Sequence, residues 1–100
     1  MTRRVVIVGG GAAGALVALH LLRDTTNIAE VTVVEPRERL AEGVAYSTAD
    51  AAHLLNVPAG GMSAYDDDPA HFVRWMRCDA SDFVARHRYA EYLRDELQRA

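Results

Sequence analysis

Val5-Val6-Ile7-Val8-Gly9-Gly10-Gly11-Ala12-Ala13-Gly14-Ala15-Leu16 is the stretch on which the fold turns. Its first four residues are an unbroken β-branched run, the pattern of a parallel strand buried on both faces. After the glycines, Ala12 to Arg23 consists of good helix formers, with Leu16, Leu19 and Arg23 at i, i+3 and i+7 and Asp24-Thr25-Thr26-Asn27 as a polar stop. Val31-Thr32-Val33-Val34 is a second β-branched run, closed by Glu35-Pro36, where proline cannot donate to a ladder. Strand, glycine turn, helix and strand in this order predict an α/β fold.

The glycines carry the chemistry. Gly9-Gly10-Gly11-Ala12-Ala13-Gly14 fits G-x-G-x-x-G, a weak pattern alone, but it follows a predicted strand and opens a predicted helix. An acidic residue, Glu35, stands at the end of the second strand, 21 residues after Gly14. Each position has a mechanical task in a Rossmann-like dinucleotide unit. Gly9 makes the tight turn, Gly11 lets the backbone approach a pyrophosphate, and Gly14 lets helix and strand pack closely. The anion is received by the free N–H groups and positive dipole of the helix start, formed by Gly11, Ala12 and Ala13. Glu35 is placed to accept hydrogen bonds from ribose hydroxyls and would repel a 2′-phosphate, which disfavours NADP at this site. The fingerprint does not separate FAD from NAD. Three associations tilt it toward FAD: a motif close to residue 1, a Glu followed two residues later by Arg37, and a long irregular region after the second strand.

Composition narrows the classes. The 100 residues leave room for one small domain. Half are hydrophobic and 25% charged, as in soluble globular proteins, which argues against disorder or a membrane bundle. A net charge of -3, with both signs interspersed, gives no basic footprint for nucleic acid or anionic lipid. The single cysteine, Cys78, forms no internal disulfide and suits a reducing, cytoplasmic compartment. Arg3-Arg4 before an apolar stretch resembles a secretion signal superficially, but the glycines and His20 within it fit a strand, turn and helix better.

From Pro36 to Asp68 periodicity fails, and Gly43, Pro58, Gly60 and Gly61 punctuate short apolar pieces. A connection this long is expected to be functional. Asp68-Pro69 then reads as an N-cap followed by proline at the first helical position, opening a helix over about 69–77 with Phe72, Trp75 and Met76 on one face. A last amphipathic stretch, about 89–98, aligns Tyr89, Leu93 and Leu97, a stripe with no later element in the sequence to pack upon. Asp66-Asp67-Asp68 reads as a solvated turn, since a hard-cation site needs more oxygen ligands. The four histidines show no metal-ligand spacing with Cys78. Cys78 lies at a helix end beside Asp79 with no evident basic trigger for a nucleophilic thiol.

Gly43-Val44-Ala45-Tyr46-Ser47, His53-Leu54-Leu55-Asn56-Val57-Pro58-Ala59, Met62-Ser63-Ala64 and Asp68-Pro69-Ala70-His71-Phe72-Val73-Arg74-Trp75 together resemble the FAD/NAD(P)-binding domain of bacterial flavoproteins. That family includes FAD-dependent urate hydroxylase and aspartate N-monooxygenase and is more distantly similar to lysine and ornithine N-hydroxylases. The pattern of Phe83, Arg86, Tyr89 and Tyr92-Leu93 continues the likeness, so it covers nearly the whole chain. The chain departs from it at Gly61, where a basic residue is expected, at Ala85, where proline is common, and at Ala90, where glycine is common. The resemblance implies that the segment from Gly43 to Ser63 lies over an FAD. Arg37 and Tyr46 would join its binding site, with Asn56 and Met62 near the flavin end; His53 is a weaker candidate on the cofactor side.

The resulting expectation is an N-terminal, truncated part of an FAD-binding domain, spanning residues 1–100, in a monooxygenase-like flavin-dependent oxidoreductase. NAD(P)H would be the electron donor of the complete enzyme. The flavin does the redox chemistry while the protein binds and orients it. Catalytic residues and substrate are not visible, and the remaining strands would come from further chain or another subunit. A non-catalytic dinucleotide-binding module is the alternative; an NAD-linked dehydrogenase half fits less well, because the loop segments do not belong to one.

Overall fold

A computed structural model describes residues 3–26, 28–36, 40–41 and 54–100. The order is β1 (Arg3–Val8), α1 (Ala12–Arg23), β2 (Ala29–Val34), a 3-10 turn at Ala59–Gly61, α2 (His71–Met76) and α3 (Arg86–Arg99). β1 and β2 form a two-stranded parallel sheet in which Val5 pairs with Val31, Ile7 with Val33 and Val8 with Val34. The α/β class and the incomplete Rossmann-like unit with additional helices are therefore what the protein forms.

Both strands begin two residues before their β-branched runs, because a parallel ladder needs only extended backbone and extends through Arg3-Arg4 and Ala29-Glu30. Burial on both faces is corrected. Along each strand, half-buried residues alternate with exposed ones from Val5 and Ala29 onward; Val6 and Val8 are 63% and 84% exposed and Val34 50%. Ile7 faces α1, and helix α1 packs on that side of both strands. Among the described residues nothing covers the other side.

The core lies between the helices rather than within the sheet. Leu19, Phe72, Tyr92 and Leu93 are fully enclosed. The ring of Phe72 meets Tyr92 at 4.7 Å and Tyr89 at 5.3 Å, within the 4.5–7 Å range of favourable aromatic pairs. Trp75 joins Tyr92 at 5.4 Å and donates its indole N–H to Asp95 at 2.8 Å. Phe72, Trp75 and Met76 thus pack as their spacing predicts.

Two further expectations change. The stripe of Tyr89, Leu93 and Leu97 does have a surface to pack upon, because α3 folds back against α1 and the aromatic cluster. Asp68 does not cap α2: the N-cap is Ala70, without a side-chain hydrogen bond, and Pro69 precedes the helix. The Asp68 carboxylate instead pairs with the Arg74 guanidinium, which draws it away from the helix amides.

The later part of the long connection is held against the approach to α3. Leu55 N–H donates to Val84 C=O, Ala59 N–H to Asp82 C=O and Gly60 N–H to Ala80 C=O, each at 2.8 to 2.9 Å. Leu54 bridges Ala85, and Arg86 Nε donates to Leu54 C=O at 2.8 Å. A Cβ on Gly60 would lie 2.9 Å from that of Ala80, so glycine permits this close pairing.

Candidate dinucleotide site

The glycine turn joins the end of β1 to the start of α1. Gly9 has φ +95°, a left-handed conformation open to glycine, and its N–H continues the ladder to Val34 C=O at 2.8 Å. A Cβ on Gly14 would stand 2.0 Å from Gly9 C=O and 3.4 Å from Ile7. The absence of that carbon lets α1 lie close to the turn and the strand. The tight-turn role of Gly9 and the close-packing role of Gly14 thus have direct geometric counterparts.

Gly11 is the N-cap of α1, with no side-chain cap, and the first turn, which includes Ala12, Ala13 and Gly14, holds no acidic residue. The helix start thus presents backbone N–H groups and positive dipole with no acidic side chain of its own first turn to compete with an incoming anion. His20 and Arg23 stand in its last turn, where positive charge complements the opposite end of the dipole.

Glu35 reaches the same turn from the end of β2. Its Oε2 accepts the Gly10 N–H at 2.5 Å, which places a carboxylate beside the uncapped helix start. Gly10 C=O in turn accepts the N–H of Ala41 at 2.5 Å. Ala41 is fully buried and has φ +70°, uncommon for a residue with a Cβ. Arg94 of α3 donates to Leu40 C=O at 3.1 Å, tying the chain after β2 to the last helix. The turn, the carboxylate and α3 are therefore mechanically linked.

A family model described as FAD-NAD(P)-binding matches residues 6–100. The chain belongs to this FAD-NAD(P)-binding family. No curated protein and no solved structure matches it. In this FAD-NAD(P)-binding chain the sequence-selected residues Gly9, Gly11, Ala12, Ala13, Gly14 and Glu35 converge on one turn. Asn56 and Met62 stand elsewhere: Asn56 is exposed in the bend beside the Leu54–Ala85 bridge, and Met62 is half-buried against the core. Arg37, Tyr46, His53 and the segment from Gly43 to Ser47 lie outside the described residues.

Sequence reading missed Gly10 and the Leu40–Ala41 segment. A signal existed for the first: three consecutive glycines occur where the fingerprint needs only two. It also missed Glu96, which is 6% exposed and accepts the Tyr65 hydroxyl at 2.6 Å. The spacing from Tyr92 and Leu93 places Glu96 on the buried face of α3, so that position was readable too.

Burial pushes the Cys78 thiol up, and Asp82 and Asp79 add to the effect, which opposes a thiolate nucleophile. Among the described residues no cluster of three or more His, Cys, Asp or Glu could hold a metal ion, and no helix is long and apolar enough to cross a membrane.

Proposed function

We propose that the turn from Gly9 to Gly14 and Glu35 bind the ADP part of FAD, in a flavin-dependent oxidoreductase of monooxygenase type. The observation carrying this reading is the Glu35 carboxylate held against an uncapped, acid-free helix start behind a Gly9 turn. A pyrophosphate is received by the helix-start N–H groups, and ribose hydroxyls donate to the carboxylate. The FAD-NAD(P)-binding family supports a dinucleotide ligand. The choice of FAD and of NAD(P)H as donor rests on the resemblance carried by the segments from Gly43 to Trp75.

Bound flavin would supply the hydride and oxygen chemistry, and this chain's residues would bind and orient it. The sheet face bearing Val6, Val8 and Val34 favours a domain completed by further protein, which would also build the substrate wall. The test is to purify the chain, titrate it with FAD and record the visible spectrum. A saturable change in flavin absorbance supports the proposal. Binding of ADP and NAD without FAD would favour the non-catalytic dinucleotide module.

A further inference from the structure

In the glycine turn, the peptide groups flanking the Gly10 Cα have both of their facing polar atoms engaged by protein. The Gly10 N–H is donated to Glu35, and the Gly10 C=O receives Ala41 N–H. Space is equally committed: a Cβ on Gly10 would stand 2.8 Å from Leu40 Cδ2, 2.9 Å from Glu35 Cβ and 3.1 Å from Val33 Cγ1. The middle glycine therefore binds the protein's own ribose-side elements, while phosphate contacts fall to the helix start that follows.

We propose that Gly10 is a specificity-determining positioning residue: clamped between Glu35 and the Leu40–Ala41 strap, it aims the Glu35 carboxylate so that the site selects a ribose carrying its free 2′-hydroxyl. The inference rests on the ADP-binding reading above and extends it to the residue that sets ribose selectivity. A carboxylate on a flexible side chain would lose rotamer freedom on engaging a diol. One already fixed by a charge-assisted bond to a backbone amide has met that cost in the folded protein. The strap adds rigidity, because Arg94 holds Leu40 C=O from α3.

The test measures binding of ADP and 2′-deoxy-ADP to the full chain by calorimetry, with circular dichroism as the check on folding. The unaltered chain is expected to prefer ADP by about tenfold, the scale of one hydrogen bond to a charged group. Gly10→Ala crowds Leu40 and Glu35, and is expected to bring the ratio to about one by weakening ADP alone. Adding Leu40→Ala removes the closest clash and should recover part of the preference. Glu35→Asp keeps the charge but shortens the reach by one methylene, so it should also abolish the preference; it decides the matter if Gly10→Ala does not fold. Equal weakening of both ligands by Gly10→Ala would show a merely structural glycine and overturn the inference. So would a retained ratio in Gly10→Ala or, failing its folding, in Glu35→Asp. Binding of neither probe by the unaltered chain would overturn the ADP-binding reading and this inference together.

Discussion

Glu35 Oε2 accepts the Gly10 N–H at 2.5 Å, across 25 residues of sequence. The bond joins the two halves of the fingerprint, glycine turn and acidic strand end. Glu35→Ala removes both the ribose acceptor and the partner of the Gly10 amide. Affinity for ADP, measured by calorimetry, should fall by about 1–3 kcal/mol, the range for a hydrogen bond to a charged group. A change of less than twofold would exclude Glu35 as the ribose ligand.

Gly14→Ala places a carbon 2.0 Å from Gly9 C=O, a backbone atom that cannot swing aside. Helix α1 must move away from β1, at a cost of about 1–3 kcal/mol, as for overpacked cores. The expected outcome is a lower denaturant midpoint together with loss of ADP binding. Gly11→Val should instead leave the midpoint nearly unchanged while abolishing binding, since its side chain would obstruct the approach of the pyrophosphate.

The single βαβ unit and its glycine turn were legible because their signals are local: β-branched runs, a helix-forming run and glycines at fixed offsets. Tertiary competition hid the rest. Asp68 had the chemistry of an N-cap, but Arg74 offered it a full opposite charge, and α2 starts at His71 instead. The run from Val5 to Val8 had the composition of a fully buried strand, yet burial depends on which layers are present, and among the described residues only α1 supplies one. Gly10 escaped because its partners, Glu35 and Ala41, lie 25 and 31 residues away and no local periodicity joins them. The position of Glu96 on the buried face of α3 was readable, but its partner was not, because Tyr65 lies 31 residues away on the loop before α2.

Tyr65 and Glu96 should report alkaline pH. Burial, and then the hydrogen bond to the Glu96 carboxylate, hold the Tyr65 hydroxyl above its ordinary range. Burial also raises Tyr92. A folded-state pKa above the unfolded value of about 10 gives stability that is fully present below that value and is lost as pH rises above it. Tyr65→Phe should therefore make the decline above about pH 10 shallower. It should also cost about 1.5–3 kcal/mol at neutral pH by removing the donor to a buried carboxylate. Denaturant unfolding at pH 7 and at about pH 10.5, half a unit beyond the ordinary tyrosine value, separates the two effects.

Asp68 should report the acid side. The hydrogen bond from Arg74 lowers its pKa from the ordinary carboxylate value. A depressed folded-state value gives stability present above the unfolded pKa of about 3.9 and lost as pH falls through the folded one. Asp68→Asn is thus expected to flatten the stability profile below about pH 4 with little change at neutral pH, because the pair is solvent-exposed. A variant that loses stability equally at every pH would show that Asp68 acts through its backbone turn rather than its charge.

The side of the sheet that no described residue covers makes the last prediction. Val6, Val8 and Val34 stand on it with half or more of their surface in water, while Ile7 lies against α1. An exposed valine contributes little by burial, so Val8→Thr should change stability by less than about 0.5 kcal/mol. Ile7→Ala should cost about 2–5 kcal/mol if the α1-facing side is a true core. Among the described residues the sheet has two strands covered on one face, without the third strand or second layer that gives independent stability, and this chain is expected to fall below about 5 kcal/mol in total. The measurement is denaturant unfolding of the three proteins with hydrogen exchange on β1 and β2. Low protection of both strands, with a protected α3 and aromatic cluster, would locate the stability between the helices. A Val8→Thr cost matching that of Ile7→Ala would show instead that the open face is covered in solution.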